Sequence, residues 1–322
     1  MKAPQLLWKS LLSLALTAFA ATAYGQSAQN DTNLKIKTIE IEVGAEKEFS
    51  VLHISDSHLT LADERNDERK MKLSAKRTKI FGNSQSAIEA QRNFAKENNL
   101  IIIHTGDLID FVSEANIECA ARIFGDGEWI VCAGNHEYSL YVGEAREDAA
   151  YRAQSYDKLQ RVYPNDLTFY SRIVNGVNFV TLDNGYYKFS KEQFAKMKAE
   201  VKRGLPIVMV CHNPLYTPEL CDHSLKKSKG KAAYLVGVPR KITDTYAHKP
   251  QPKGEEWRNR TVQQRADKTT MHFVKWLKKQ EELKAILCGH CHYNYKTQFS
   301  PTAVQYITGA GYKGYAQIVK IK

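Results

Sequence analysis

Residues 100–110 read LIIIHTGDLID. A run of Leu and three β-branched Ile, stopped by Gly106, describes a short strand buried on both faces. Asp107 and Asp110 stand at its exit. The same grammar recurs along the chain. Phe49 to Ser55 runs into Asp56-Ser57-His58, and Trp129 to Ala133 into Gly134-Asn135-His136-Glu137. Pro206 to Cys211 runs into His212-Asn213-Pro214, and Ala285 to Cys288 into Gly289-His290-Cys291-His292. Helical patterns fill the gaps, near 84–97, 113–123, 142–159, 190–202 and 269–282. Residues 34–43 alternate as an edge strand would, and Asn175-Gly176 marks a hairpin between 168–174 and 177–182. Strands alternating with helices specify an α/β sandwich with a mixed sheet core. In such sheets, sites form at the carboxyl ends of the strands.

Taken singly, each polar cluster is ordinary turn chemistry. All five, each after a buried strand, converge on one edge. Carboxylate, imidazole and amide oxygen together suit Mn, Fe or Zn, whereas Ca wants oxygen alone. Asp56, His58, Asp107, Asn135, His212, His290 and His292 exceed one tetrahedral site and suit two ions that share a carboxylate. His53 and His104 lie inside strands and read as core or supporting residues. Asp110 reads as a turn residue or a supporting partner, Glu137 as an orienter or cap rather than a ligand, and Asp183 as a turn residue. His223, His248 and His272 read by default as solvated loop residues. Tyr216 and Tyr246 are weak candidates for stacking on a substrate ring.

The set D-x-H, G-D-x-x-D, G-N-H-[ED], an isolated His and G-H-x-H resembles the calcineurin-like metallophosphoesterase family, from Phe49 to roughly the C-terminus. The resemblance implies a four-layer α/β/β/α sandwich. It implies a first ion on Asp56, His58, Asp107 and His292, and a second on the bridging Asp107 with Asn135, His212 and His290. It further implies that Asn135 and His136 contact the substrate, with His136 as general acid. Phosphate mono- or diesters would be hydrolysed by attack of a metal-bound hydroxide. Purple acid phosphatases carry Tyr three residues after the bridging Asp; Asp110 stands there, so a tyrosinate–iron site is not expected. Residues 59–83 read as a family-variable loop. A nuclease, or a non-catalytic phosphate-binding protein, is the alternative; the latter would be expected to lack a ligand or His136.

Hydrophobic residues make up 43% and charged residues 25%, which excludes wholesale disorder. The formal charge is +11, which suggests an acidic partner. Residues 1–25 read as a signal peptide: Lys2 and Lys9, an apolar run, then small residues, with cleavage after Ala23 or Gly25. The expected product is a single domain, 26–322, periplasmic or secreted, with no lipid-modified N-terminal Cys and no stable membrane span. Removing the two lysines of the leader leaves +9. Residues 222–270 hold twelve basic and five acidic residues, a net +7, and read as a basic insert or lid that attracts a small phosphorylated substrate. Nucleic acid is the less favoured partner. The six cysteines permit disulfides in an exported chain. Cys132, Cys211 and Cys288 end apolar runs and read first as small buried hydrophobes.

Overall fold

The computed structural model describes residues 33–142, 149–247 and 259–322. The expected signal peptide and His248 lie outside them. Among the described residues, eleven strands make two sheets. The first holds β1 (Lys35–Ile41), β2 (Phe49–Ile54), β3 (Ile101–His104), β4 (Trp129–Val131) and β11 (Tyr315–Ile321), in the order β1-β11-β2-β3-β4. The second holds β5 (Phe169–Val174), β6 (Val177–Leu182), β7 (Ile207–Val210), β8 (Leu283–Cys288), β9 (Tyr295–Gln298) and β10 (Val304–Ile307), in the order β5-β6-β7-β8-β10-β9. β2, β3 and β4 are parallel neighbours, as are β6, β7, β8 and β10. Each run therefore delivers its carboxyl ends to one edge.

Side-chain alternation produces the layers. Val51, Ile103 and Ile130 of the first sheet meet Phe179, Val208, Val210 and Leu287 of the second in a shared core. The opposite face of β2 and β3, with Leu52, Ile54 and Ile102, packs on α2 (Ser84–Glu97) and α3 (Glu114–Phe124). Ile207, Met209 and Ile286 pack on α5 (Lys191–Val201), α6 (Pro218–Ser228) and α9 (Lys268–Leu277). The result is the expected helix–sheet–sheet–helix sandwich. Local chemistry agrees with it. Ser190 and Gln193 close a capping box on α5, and Thr217 caps α6 ahead of Pro218, each cap contributing about 1 kcal/mol. Asn175 and Gly176 turn the β5–β6 hairpin with φ of 46° and 78°.

Two stretches differ from their sequence reading. Residues 59–83 contain helix α1 (Glu68–Phe81), capped by Asp67, instead of a plain loop. Its polar composition hides it, because only Lys70 and Phe81 are buried. In the basic stretch, Ala232, Ala233, Leu235, Val236 and Val238 are buried in the outer core of the second sheet. Val236 bridges to Leu215 in parallel, so this part is packed structure. Residues 248–258 of the same stretch lie outside the description. No helix among the described residues is long and apolar enough to cross a membrane.

Candidate metal centre

Five strand ends meet, and the backbone bends sharply to bring them together. Asp56, His58, Asp107, His290 and His292 all have φ between 51° and 67°. The left-handed region costs about 1–2 kcal/mol for such residues and persists where surrounding contacts over-determine it. Those contacts are visible. Asp56 N donates to Gly106 O at 3.0 Å, and His58 N to Asp107 O at 2.9 Å. Gly289 N donates to His212 O at 3.0 Å. A Cβ at Gly289 would run into Ser55 Oγ and Asp56, so glycine is required there.

Each carboxylate spends one oxygen on the backbone and turns the other inward. Asp56 Oδ2 accepts from His290 N at 2.9 Å, while Oδ1 stands 3.1 Å from His292 Nε2. Asp107 Oδ1 accepts from His136 N at 2.9 Å. Its Oδ2 lies 3.2 Å from His212 Nε2 and 3.7 Å from His58 Nε2. Asp107 thus reaches both sides of the cluster. Asp56–His58–His292 and Asp107–His212–His290 each gather three ligand atoms within 4.8 Å of one another. His58 Nε2 and His292 Nε2 are 3.2 Å apart, as are His290 Nδ1 and His212 Nε2.

The outer partners set which ring nitrogen faces inward. His212 Nδ1 contacts Thr105 O at 2.7 Å, and His58 Nδ1 contacts Asp110 at 3.0 Å. Tyr187 OH pairs with His290 Nε2 at 2.7 Å. Asp110 is fully buried; it also receives Arg77 of α1 at 2.6 and 2.7 Å, and His136 Nδ1 lies 2.8 Å from its carbonyl oxygen. Glu137 is buried and collects the amides of Asp107, Leu108 and Gly134 together with the Tyr163 hydroxyl. It is the orienter expected from the sequence. His53 and His104 are supporting residues, bonded to Gln317, Thr105 and Ser57.

Charge is concentrated here. Burial alone would lower the pKa of His136, but Asp107 and Asp110 outweigh it and push it up to about 10. Burial is likewise outweighed at His212, where Asp107 raises the value to about 9. His290 is pushed down to about 3 by burial and by His212. Burial and the Asp107 charge raise Glu137 to about 7.

Two observations test the cluster against a cation pair. Asp56 Oδ1 faces only imidazole nitrogens, His292 Nε2 at 3.1 Å and His58 Nε2 at 3.8 Å, while Asn135 Oδ1 is a buried oxygen with no hydrogen-bond partner. Such an orphan costs about 1–3 kcal/mol unless something outside the protein satisfies it. The donors are hard oxygens and imidazoles, which suit a first-row divalent metal. The residues fit the group.

A family model, calcineurin-like phosphoesterase, matches residues 49–294. The chain belongs to that family. This calcineurin-like phosphoesterase is accordingly a metal-dependent hydrolase. No curated protein matches it. Solved structures similar to the phosphoesterase include a dimetal phosphatase from Danio rerio, 11% identical, covering 82% of this chain and 88% of that one at a TM-score of 0.44. A phosphopantetheinyl hydrolase from Mycobacterium tuberculosis is 12% identical, covering 82% and 90% at 0.42. A 5′-nucleotidase from Candida albicans is 13% identical, covering 87% and 48% at 0.36. The assignment rests on the family match.

Every residue of both triads is legible in the sequence, as are Asp110 and Glu137 among their supports, but the aromatic and arginine supports are not. Arg77 was hidden in the supposed loop, as was Phe81, which stacks on His58 at 4.4 Å and 9°. Tyr187 lies in the loop after β6 (Val177–Leu182), too far from the strand end to be marked by it. Tyr234 and Tyr312 have rings 5.8 Å from His290 and 5.7 Å from His292. Asp183 is not a simple turn residue: it is buried and pairs with Arg152 and Tyr138. Tyr246 is buried and His272 packs on Phe194, so neither faces this edge as a stacking or binding group. Tyr216 is partly buried against the outer core of the second sheet.

Proposed function

We propose that this phosphoesterase is an exported enzyme that holds two metal ions and hydrolyses a small anionic phosphate ester. The observation that carries the reading is the pair of triads facing one Asp107 oxygen, with the partnerless buried oxygen of Asn135 beside them. Asp56, His58, Asp107 and His292 would hold one ion; Asp107, Asn135, His212 and His290 would hold the other. Mn, Fe and Zn suit these donors. When bound, such ions supply Lewis-acid polarisation of the phosphoryl group and an activated water.

The chain's own residues do the rest. Asn135 is neutral, so its place in the site adds no repulsion against a phosphate. His136 belongs to no triad with Asp56 or Asp107, and its side chain is 16% exposed, so it can reach an ester. Asp110 fixes the ring through Nδ1, leaving Nε2 to hydrogen-bond the phosphate and protonate the leaving oxygen. Cations in the cluster would replace the positive charge that Asp107 draws onto His212. The site therefore changes protonation on loading, and metal uptake should release protons.

The basic stretch supports an anionic substrate. Lys226, Lys227, Lys229 and Lys231 are exposed at and beyond the end of α6. That helix contacts the residue after His292: Ser224 Oγ meets Tyr293 OH at 2.7 Å, and Lys227 Nζ lies 5.4 Å from the Tyr293 ring. This is the cationic margin expected to draw substrate inward.

Asp107→Asn tests the shared carboxylate. The expected outcome is loss of turnover with fewer than two metals retained, read by elemental analysis; two retained metals and full activity would sink the assignment. His136→Ala should keep both metals and lose about 100- to 10,000-fold in rate on esters with poor leaving groups. A screen of mononucleotides, cyclic nucleotides, sugar phosphates, glycerophosphodiesters and short nucleic acids would name the substrate.

A further inference from the structure

Two thiols meet immediately below the strand ends that bear His212 and His290. β7 and β8 are parallel neighbours in the register Val210↔Leu287. The next step of that register sets Cys211 opposite Cys288. Cys211 N donates to Leu287 O at 3.1 Å, which continues the ladder to this point. The two Sγ atoms are 3.6 Å apart, and both residues are fully buried. Neighbouring strands stand about 4.8 Å apart, within the Cα separation that a disulfide spans. Among the described residues, no metal-binding group includes either thiol.

The other cysteines are placed differently. Cys119 lies on α3 in the outer core of the first sheet, and Cys221 on α6. Cys132 faces the core between the sheets, and Cys291 is only partly buried. The pair at 3.6 Å also has a special position. His212 follows Cys211 directly and His290 follows Cys288 by two residues, and these two imidazoles contact each other at 3.2 Å.

We propose that Cys211 and Cys288 are joined by a disulfide when the chain folds in an oxidising compartment, and that this bond clamps the strand ends carrying His212 and His290. Formation removes both thiol protons and passes two electrons to a disulfide oxidant, a thiol–disulfide oxidoreductase or oxidised glutathione. The oxidant leaves as two thiols. Both thiols are fully buried, out of reach of an oxidant once the protein has folded, so the bond belongs to folding. It joins residues 77 apart, a long closure that constrains the unfolded chain strongly. Only the natural source of the oxidant rests on the export reading above.

The full chain, denatured and reduced, is refolded in a mixture of oxidised and reduced glutathione, alkylated, and mapped by mass spectrometry without reduction. The expected map shows one cross-linked pair, Cys211 to Cys288, and four alkylated cysteines of the six. Six alkylated cysteines, or a bond through another cysteine, overturns the proposal. The same map is made on chain recovered from an export-competent host. A bond in glutathione but none there overturns export alone. Zinc-loaded protein refolded in the presence of a phosphine reductant should melt about 5 °C below zinc-loaded protein refolded with the bond and lose zinc to a chelator several-fold faster. The double variant C211S/C288S should show neither response to the reductant. Equal zinc loss with and without the bond overturns the clamp, and the mapping stands whether or not the double variant folds.

Discussion

The two triads have a similar donor set and meet at Asp107, whose Oδ2 lies 3.7 Å from His58, yet they are built on different supports. Asp56, His58 and His292 lean on an added helix. Phe81 of α1 stacks on His58, and Arg77 of α1 grips Asp110, which in turn holds His58. The His292 side chain is 32% exposed. Asp107, His212 and His290 hang on the strand ends themselves. His212 is fully buried and bonded to a main-chain carbonyl, and His290 is held by Tyr187. One half of the centre therefore depends on a charged grip from a mostly exposed helix, the other on backbone and a single hydroxyl. The first half should yield first when its support is cut.

Arg77→Ala breaks that grip and should have the largest effect of the three variants that probe this contrast. It frees Asp110, which positions both His58 and His136. A loss of about 10- to 100-fold in kcat is expected, with the ion on the Asp56 side lost preferentially on dialysis. Arg77→Lys should recover only part of the rate, because an ammonium cannot make the two-point contact. Equal loss of both ions would erase the proposed asymmetry.

Tyr187→Phe probes the other half. One hydrogen bond to His290 goes, and the ring remains to pack. About a 10-fold weakening of the ion on the Asp107 side is expected, with turnover restored at excess metal. An unchanged metal affinity would show that backbone alone holds this half. The smallest effect is expected from replacing Lys226, Lys227, Lys229 and Lys231 by Gln. KM for an anionic ester should rise a few-fold at low salt and converge on the unmodified value as salt screens the margin. No change at low salt would leave these lysines as a merely solvated face.

What could be read in advance followed from local chemistry. Asp56, His58, Asp107, Asn135, His212, His290 and His292 each sit within a few residues of a buried strand, so an apolar run followed by a polar cluster exposes them. Arg77 and Phe81 left no such mark. They lie on a helix whose exposed face is rich in Lys and Arg, and its single capping Asp67 resembles any turn residue. Asp183 looked like a turn because its partner Arg152 is 31 residues away in the chain. Val236 and its neighbours looked like part of an insert because they run as an extended packed segment without helical or alternating periodicity.

The linear order of residues determined the inventory: seven donors, a histidine beside one of them, six thiols, and a surplus of basic charge between the last two motifs. It also determined that the donors follow strands, since buried runs are written in apolar side chains. Only the tertiary structure decided who meets whom. His290 and His292 are two residues apart and both left-handed, yet the ring of one joins His212 and the ring of the other joins Asp56. Cys211 and Cys288 also face each other across the chain. Their contact is a matter of strand register, which is set by packing across the sheet and is not encoded within either segment alone.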